Sequence, residues 1–212
     1  MLEDKVRAGK VRKRLRLTYP EVTTQLHYRT SFELLVATIL SAQCTDKQVN
    51  SVTRGLFKKF NAPKDFTTIP LESLEQLVRA TGFFRNKAKN IKACAQALVE
   101  KYHGKVPETL EELVLLPGVG RKTANLVLGA AFGIPGIVVD THVIRISKRL
   151  GFTESKDPAK IERDLMKIIP KMAWSDFSLH LVYFGREFCT ARKPRCKMCP
   201  LIKLCPWPDK NL

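Results

Sequence analysis

The chain has 212 residues, and 44% of them are hydrophobic, which is enough to bury a core in one domain or two small ones and argues against a disordered basic tail protein. Its 37 Lys and Arg residues against 20 Asp and Glu give a net charge of +17, which favours a polyanionic partner such as nucleic acid. No apolar run reaches the roughly 18–20 residues of a membrane span, and the first residues lack a signal peptide's apolar stretch. We therefore expect an intracellular protein, cytoplasmic or nucleoid-associated, with no membrane partner.

Helical patterns begin near the N-terminus. Residues 5–16 carry seven cations and are either a mobile basic terminus or the basic face of a helix. From Ser31, a plausible N-cap, apolar residues recur at helical spacing as far as Leu40. Thr45 and Gln48 then have the spacing of a capping box, which predicts a second helix directly after a polar corner.

Three further helices are predicted before residue 115. Pro70 opens a helix that Gly82 is placed to end, and Asn86 begins another that Gly104 is placed to end. A second capping-box pattern starts at Thr109 and predicts a short helix. This short helix leads directly into a turn that is rich in glycine.

That turn is the most informative stretch of the chain, and it runs Pro117-Gly118-Val119-Gly120-Arg121-Lys122-Thr123. Two glycines separated by one residue allow the backbone to approach a ligand closely. A helix that starts at Arg121 directs its free N–H groups at the same place, so we expect an anion there, with a nucleic-acid phosphate as the first candidate. A P-loop is excluded because Arg121 separates Gly120 from Lys122. The order of helix, glycine turn and helix predicts a helix-hairpin-helix motif.

The C-terminal third continues in the same way. Helices are predicted from near Thr141, from Asp157-Pro158 and from Trp174. No stretch shows sustained alternation of apolar and polar residues, so the predicted architecture is all-α. The four residues from Ile137 to Asp140 have strand-like composition, but an isolated strand has no partner.

Four cysteines lie within seventeen residues at the chain's end, with the spacing C-x6-C-x2-C-x5-C, namely Cys189, Cys196, Cys199 and Cys205. In a reducing compartment this spacing favours a metal site over disulfides, and by itself it fits zinc and a [4Fe–4S] cluster equally well. The loop between the first two cysteines carries Arg192, Lys193 and Arg195. Because metal would pin both ends of this loop, its cations are candidate phosphate contacts.

Taken together, three stretches closely resemble the endonuclease III family, the DNA glycosylases with AP lyase activity of the helix-hairpin-helix superfamily. These stretches are the four-cysteine tail, Leu40-Ser41-Ala42-Gln43 with Thr45-Asp46, and Leu116-Pro117-Gly118-Val119-Gly120-Arg121-Lys122-Thr123-Ala124 with Val139-Asp140-Thr141-His142. The resemblance covers nearly the whole chain after about Arg29. It implies two helical lobes with a DNA cleft between them: a six-helix barrel domain at 24–134 that contains the hairpin, and an iron–sulfur cluster domain at 1–23 and 135–212. It also implies a [4Fe–4S] cluster on the four cysteines and a monomer.

The resemblance further implies the activity. The enzyme would excise oxidised pyrimidines of the thymine glycol class from double-stranded DNA and cleave 3′ to the abasic site by β-elimination. Lys122 would attack C1′ of the flipped nucleotide and form a Schiff base, which only an amine can do. Asp140 would stabilise the cationic sugar and accept a proton. A free lysine amine has a pKa near 10.4, so only about one in a thousand is neutral near pH 7.4. Desolvation in the DNA complex and neighbouring cations therefore have to lower the pKa of Lys122 for the neutral amine to be populated.

DNA contacts are implied for a wider set of residues. By family analogy Gln43 would fill the space left by the flipped base, and Phe83 would insert beside the opposite strand unless it is a core aromatic. An aliphatic residue is expected there in some relatives, whereas this chain has an aromatic one, which leaves the opposite-base preference open. The remaining implied contacts are Gly118, Val119, Gly120, Arg121, Thr123 and His142, although His142 also suits a local hydrogen bond.

Three alternatives stay open at this point. One is a monofunctional relative that removes adenine or mismatched thymine, although such relatives typically lack an amine at the position of Lys122, and the adenine-specific ones need a further C-terminal domain. Another is a non-catalytic DNA-binding or redox-sensing iron–sulfur protein, which would give neither an adduct nor a nick. The third is a zinc-ribbon binding module.

Overall fold

A computed structural model describes residues 2–212, which form α-helices joined by short loops and 3-10 turns, with no β-strand among them. The prediction of an all-α architecture is thereby confirmed. The run from Ile137 to Asp140 has no regular secondary structure. None of the helices in the described part of the chain combines the length and the apolar character needed to cross a membrane. The chain divides into two compact units, one at Thr24–Ile134 and the other made of the residues up to Thr23 together with Pro135–Leu212.

The first unit is built around one helix that is buried on all sides. Its helices are α2 (Ser31–Leu40), α3 (Asp46–Lys59), α4 (Pro63–Thr68), α5 (Leu71–Val78), α6 (Phe84–Tyr102), α7 (Leu110–Leu113) and α8 (Arg121–Phe132). Every residue of α2 from Phe32 to Leu40 is buried, and the helix packs against α3, α6 and α8. A helix that is apolar all round belongs inside a core, and α2 is the centre of this one.

The single charge in α2 is satisfied at its first turn. Glu33 is 1% exposed and accepts a 2.7 Å hydrogen bond from Nη2 of Arg29, which also donates to the carbonyl of Phe57 on α3. The N-cap is Thr30, whose hydroxyl accepts the N–H of Glu33, so the prediction of Ser31 at this position is wrong by one residue. Thr30 takes the role because it has the extended backbone that a cap requires.

Two predicted helix starts are confirmed, one is displaced, and one helix was not predicted. Thr45 and Thr109 each accept the N–H three residues later, as N-caps do. Helix α6 begins at Phe84, two residues before the predicted Asn86. Helix α4 was not predicted, because its six residues are too few for a periodic pattern; a carboxylate oxygen of Asp65 holds its start by accepting two backbone N–H groups at 3.0 Å.

The second unit joins the N-terminal helix to the last third of the chain. Its helices are α1 (Leu2–Thr18), α9 (Thr141–Arg149), α10 (Pro158–Ile168) and α11 (Trp174–Glu187). Ala8, Val11 and Leu15 of α1 are fully buried against α10 and α11, while most of its cations face solvent. Residues 5–16 are therefore the basic face of a packed helix and not a mobile terminus.

Candidate functional site

The glycine hairpin between α7 and α8 is pressed against α6. Gly118 has a φ of +77°, a conformation that side chains with a Cβ rarely adopt. A Cβ built on Gly118 would lie 2.8 Å from Cβ of Asn90 on α6, so no side chain fits between the two backbones. Val119 is buried and its N–H bonds to the carbonyl of Leu116 at 3.1 Å, which closes the turn.

Helix α8 leaves the hairpin with an open N-terminus. Gly120 is its N-cap and offers no side chain to the first turn, and the regular ladder begins only where Ala124 N bonds to Gly120 O at 2.9 Å. Arg121 and Lys122 are exposed, and Thr123 is half-buried. The hairpin therefore presents a positive helix end with a primary amine at its second residue, an arrangement that attracts anions.

Asp140 is the N-cap of α9. Its Oδ1 accepts the N–H groups of His142 and Val143, both at 2.9 Å. Its Oδ2 has no hydrogen-bond partner among residues 2–212. His142 Nδ1 lies 3.0 Å from Nη2 of Arg145, which is the local hydrogen bond that its sequence context suggested. The capping oxygen fixes the carboxylate in place, and the second oxygen stays available for other partners.

Gln43 and Phe83 share an unusual backbone conformation. Both lie in the left-handed region, with φ of 52° and 48°, although neither is glycine. Phe83 is also 64% exposed, which excludes the core-aromatic interpretation, and Gln43 is exposed as well. Left-handed backbone costs a residue with a Cβ roughly 1–2 kcal/mol, and such strain is concentrated at functional sites. We call the two exposed turns at these residues the Gln43 corner and the Phe83 corner. The surrounding structure of the first unit holds each of them in its strained conformation.

Lys87 is a residue that the sequence reasoning missed. It is only 4% exposed, and its Nζ donates a 2.7 Å hydrogen bond to the carbonyl of Thr81, which lies two residues before Phe83. Burial lowers the pKa of Lys87, and the nearby Cys44 partly opposes this by raising it. A signal was present, because Lys87 stands four residues before Ile91 on the apolar face of α6.

All four tail cysteines line one cavity in the second unit, together with Arg149 and other residues. Arg149 Nη1 donates to Sγ of Cys189 at 3.2 Å, and the backbone N–H of Leu201 donates to Sγ of Cys199 at 3.4 Å. Burial raises the pKa of Cys199 to about 11, so a ligand that needs a thiolate has to supply positive charge. Among residues 2–212, no three His, Cys, Asp or Glu side chains form a group that could hold a single metal ion.

The basic loop before Cys196 is ordered by the protein itself. Arg192, Lys193 and Arg195 are exposed. The N–H of Arg195 bonds to the carbonyl of Phe188 at 2.9 Å, and Nδ2 of Asn211 bonds to the carbonyl of Pro194 at 3.1 Å. The three cations are thus presented on a backbone that is fixed from two sides.

Comparison with known proteins places this geometry in context. A family model described as "HhH-GPD superfamily base excision DNA repair protein" matches residues 36–171. The chain is 52% identical to Endonuclease III of Synechocystis sp. over 97% of this chain and 94% of the relative, and 41% identical to that of Escherichia coli K12 over 93% of each. A solved non-covalent Endonuclease III–DNA complex has a TM-score of 0.91 and 48% identity, and it covers 95% of both chains. A trapped Endonuclease III–DNA covalent intermediate has a TM-score of 0.88 and 49% identity over 93% of this chain and 95% of that one.

The contact between Gly118 and α6 gives a stability prediction. Gly118→Ala should lower the free energy of unfolding by roughly 2 kcal/mol or more, because it combines left-handed backbone strain with a clash against Asn90. Gly55→Ala in α3 is the matched control: its Cβ meets open space, and alanine should stabilise the helix by about 0.5–1 kcal/mol. Urea unfolding measures both, and equal effects of the two variants would contradict the tight approach.

Proposed function

The chain belongs to the endonuclease III family of helix-hairpin-helix base-excision repair proteins, and from this membership we propose that it is a bifunctional DNA glycosylase and AP lyase. It removes oxidised pyrimidines of the thymine glycol class from double-stranded DNA and cleaves the strand 3′ to the abasic site. The observation that carries the proposal is the exposed amine of Lys122 at the open N-terminus of α8, directly after the glycine hairpin. This amine favours the bifunctional enzyme over a monofunctional relative.

Lys122 supplies the nucleophile. Its neutral Nζ attacks C1′ of the damaged nucleotide; the bond from C1′ to the base breaks, and the base leaves with the electron pair and takes up a proton. The nitrogen of the adduct then loses a proton, and its electron pair forms the C1′=N bond as the bond from C1′ to the ring oxygen breaks. The ring oxygen takes up a proton, and the product is the Schiff base. Loss of a proton from C2′ then breaks the bond from C3′ to its phosphate oxygen, which nicks the strand. A hydroxyl or carboxylate nucleophile would not form the iminium that makes this elimination easy.

The hairpin positions this amine by binding the DNA backbone. The N–H groups at the start of α8 and the positive end of its dipole suit a phosphate. Because Gly118 fixes the hairpin on α6, a phosphate held there has a defined distance to the helix that carries Lys122. Arg192, Lys193 and Arg195 in the second unit contribute further phosphate contacts, and the high positive charge of the chain supports the same partner.

Asp140 has a chemical role in addition to its capping role. Oδ1 is committed to the first N–H groups of α9, which prevents the carboxylate from rotating away. Oδ2 stabilises the positive charge that develops on the sugar as the base departs, and it accepts a proton within the desolvated DNA complex.

Two exposed corners enter the duplex when the damaged base is flipped. Gln43 fills the space that the base leaves, and Phe83 inserts beside the opposite strand. Their exposure and their left-handed backbone support this assignment, because neither property serves the core.

The four tail cysteines hold a [4Fe–4S] cluster. A cavity lined by all four cysteines suits a cofactor of several atoms, and these four residues would be its ligands. Held in this way, the cluster would crosslink the chain's end and would have a structural and not a catalytic role. Arg149 offsets the negative charge of the thiolates through its bond to Cys189.

The unit that contains these cysteines is the cluster domain, and Thr24–Ile134 is the barrel domain. The enzyme acts as a monomer on DNA inside the cell.

Lys122→Gln tests the activity. Duplex DNA with one thymine glycol is incubated with the protein and sodium borohydride, which reduces the Schiff base to a stable adduct. The wild-type chain should form a covalent adduct and, without borohydride, a nick. Lys122→Gln should form neither, whereas Lys148→Gln, a control on α9, should behave as wild type. Trapping that survives the loss of Lys122 would refute the assignment.

Paired substitutions separate the two roles of Asp140. Asparagine is as good an N-cap as aspartate, so the free energy of unfolding of Asp140→Asn should lie within about 0.5 kcal/mol of the wild-type value. Base release by this variant should nevertheless be slower by roughly 100-fold or more. Asp140→Ala should show the same slow release and also lose about 1 kcal/mol of stability. Single-turnover kinetics and urea unfolding measure both quantities. If Asp140→Asn releases the base at the wild-type rate, the proposed chemical role of Asp140 is wrong and only its capping role remains.

The cluster is tested by absorbance near 400 nm and by metal analysis of the purified protein. The wild-type chain should be coloured and contain iron, and Cys199→Ser should lose both properties. Cys94→Ser is the control, because Cys94 is buried in the other unit and borders no cysteine cavity. A colourless wild-type protein that contains zinc would contradict the proposal.

A further inference from the structure

Lys87 occupies a position in which a lysine is costly. Its side chain is 4% exposed, and only one hydrogen bond anchors its ammonium among the described residues, the 2.7 Å bond to the carbonyl of Thr81. Burying a charged group is strongly unfavourable unless it is paired and hydrogen-bonded. An apolar residue would fill the same place on α6 without this cost, so the ammonium has a purpose other than filling the core.

The first purpose is visible at Thr81. This residue ends the 3-10 turn Arg79–Thr81 and is itself 2% exposed, and its hydroxyl donates to the carbonyl of Val78 at 2.8 Å. Gly82 and Phe83 follow directly, and both have positive φ. The bond from Lys87 to Thr81 therefore anchors the last buried residue before the exposed Phe83. Its own backbone N–H also bonds to the carbonyl of Phe83 at 3.1 Å, so Lys87 secures the corner from both sides.

The second purpose concerns the other exposed corner. Helix α3, which begins just after the Gln43 corner, packs against the 3-10 turn Arg79–Thr81, and the Lys87 ammonium binds the last carbonyl of this turn. Cys44, which follows Gln43 directly, acts on the pKa of Lys87 in the direction opposite to burial. The turn that Lys87 anchors therefore connects the helix after Gln43 with the loop that leads to Phe83.

We infer that Lys87 is a positioning residue that keeps the Gln43 and Phe83 corners in a fixed relation, so that both side chains enter the duplex together. This inference rests on the proposed function, in which these two residues insert at the lesion. Left-handed backbone persists only where the surroundings impose it. Without the ammonium, Thr81 loses its anchor, and the Phe83 corner is free to relax away from the Gln43 corner.

Helix α6 offers a matched control in Lys92. This residue is half-buried on the same helix, and its Nζ also donates to two backbone carbonyls, those of Thr67 and Ile69. Thr67 lies in the last turn of α4 and Ile69 in the connection between α4 and α5, so neither carbonyl belongs to either corner. Lys87→Met and Lys92→Met therefore remove the same kind of bond from one helix, but only the first touches the corners.

The experiment compares two substrates for each variant. Base release from thymine glycol in a duplex requires insertion, whereas cleavage of a preformed abasic site in single-stranded DNA does not. Lys87→Met should slow single-turnover base release roughly 10- to 100-fold, as small displacements of positioning groups do, and should leave single-strand cleavage within about twofold of wild type. Lys92→Met should leave both rates near wild type. Should Lys87→Met fail to fold, Lys87→Leu, which also lacks a donor to the Thr81 carbonyl, takes its place with the same expected outcome.

A fluorescent readout isolates insertion from chemistry. With 2-aminopurine opposite the lesion, the fluorescence rise on binding reports unstacking of the opposite base. Lys87→Met should reduce this rise, while its thermal unfolding resembles that of Lys92→Met. Equal effects of the two methionine variants on base release would overturn the inference, because they would indicate general destabilisation.

Two further variants distinguish a failure of this inference from a failure of the proposed function. Gln43→Ala and Phe83→Ala should each slow base release. If neither does, the proposed insertion is wrong, and the inference on Lys87 is overturned with it. If both do and Lys87→Met releases the base at the rate of wild type, the insertion stands and Lys87 has no part in it.

Discussion

The arrangement of the first unit depends on the close approach of the hairpin to α6, where Gly118 leaves no room for a side chain above Asn90. This approach makes α6 the common support of several functional elements. The helix begins directly after Phe83, carries Lys87 in its first turn, and three residues later offers Asn90 to the hairpin. Phe83, which is proposed to insert into DNA, and the hairpin, which is proposed to bind the DNA backbone, are thus both supported by α6, and this common support favours accurate placement of a reactive amine.

Residues with an ordinary structural explanation also carry the proposed chemistry, and the two kinds of role are compatible at the level of single atoms. Asp140 is an N-cap, as an aspartate before a helix usually is, yet only one of its oxygens is used in this way. Lys122 is a solvent-exposed residue at a helix start, yet the same exposure leaves it accessible to a sugar. A structural explanation of such a residue therefore does not compete with a catalytic one until each donor and acceptor has been accounted for.

Sequence reasoning succeeded where the determining interactions are local. The caps at Thr45 and Thr109, the start at Asp157-Pro158 and the glycine hairpin are all set by neighbours within four residues, and the structure has them where the pattern indicated. It failed where the partner is distant or the pattern too short. Arg149 reaches Cys189 from forty positions away, and nothing in the spacing of the cysteines indicates this contact. Lys87 was overlooked because a charged residue on an apolar face is normally taken as an interruption of the pattern.

The discontinuity of the second unit has a consequence for how the chain folds during synthesis. Helix α1 buries Ala8, Val11 and Leu15 against α10 and α11, which are made more than a hundred residues later. At typical translation rates this delay is on the order of ten to thirty seconds. The unit at Thr24–Ile134 has all its own helices long before then and can complete its core first. The strong positive charge of α1 keeps an unpartnered apolar stripe soluble in the meantime, so the same cations that suit a polyanion also protect the nascent chain from premature association.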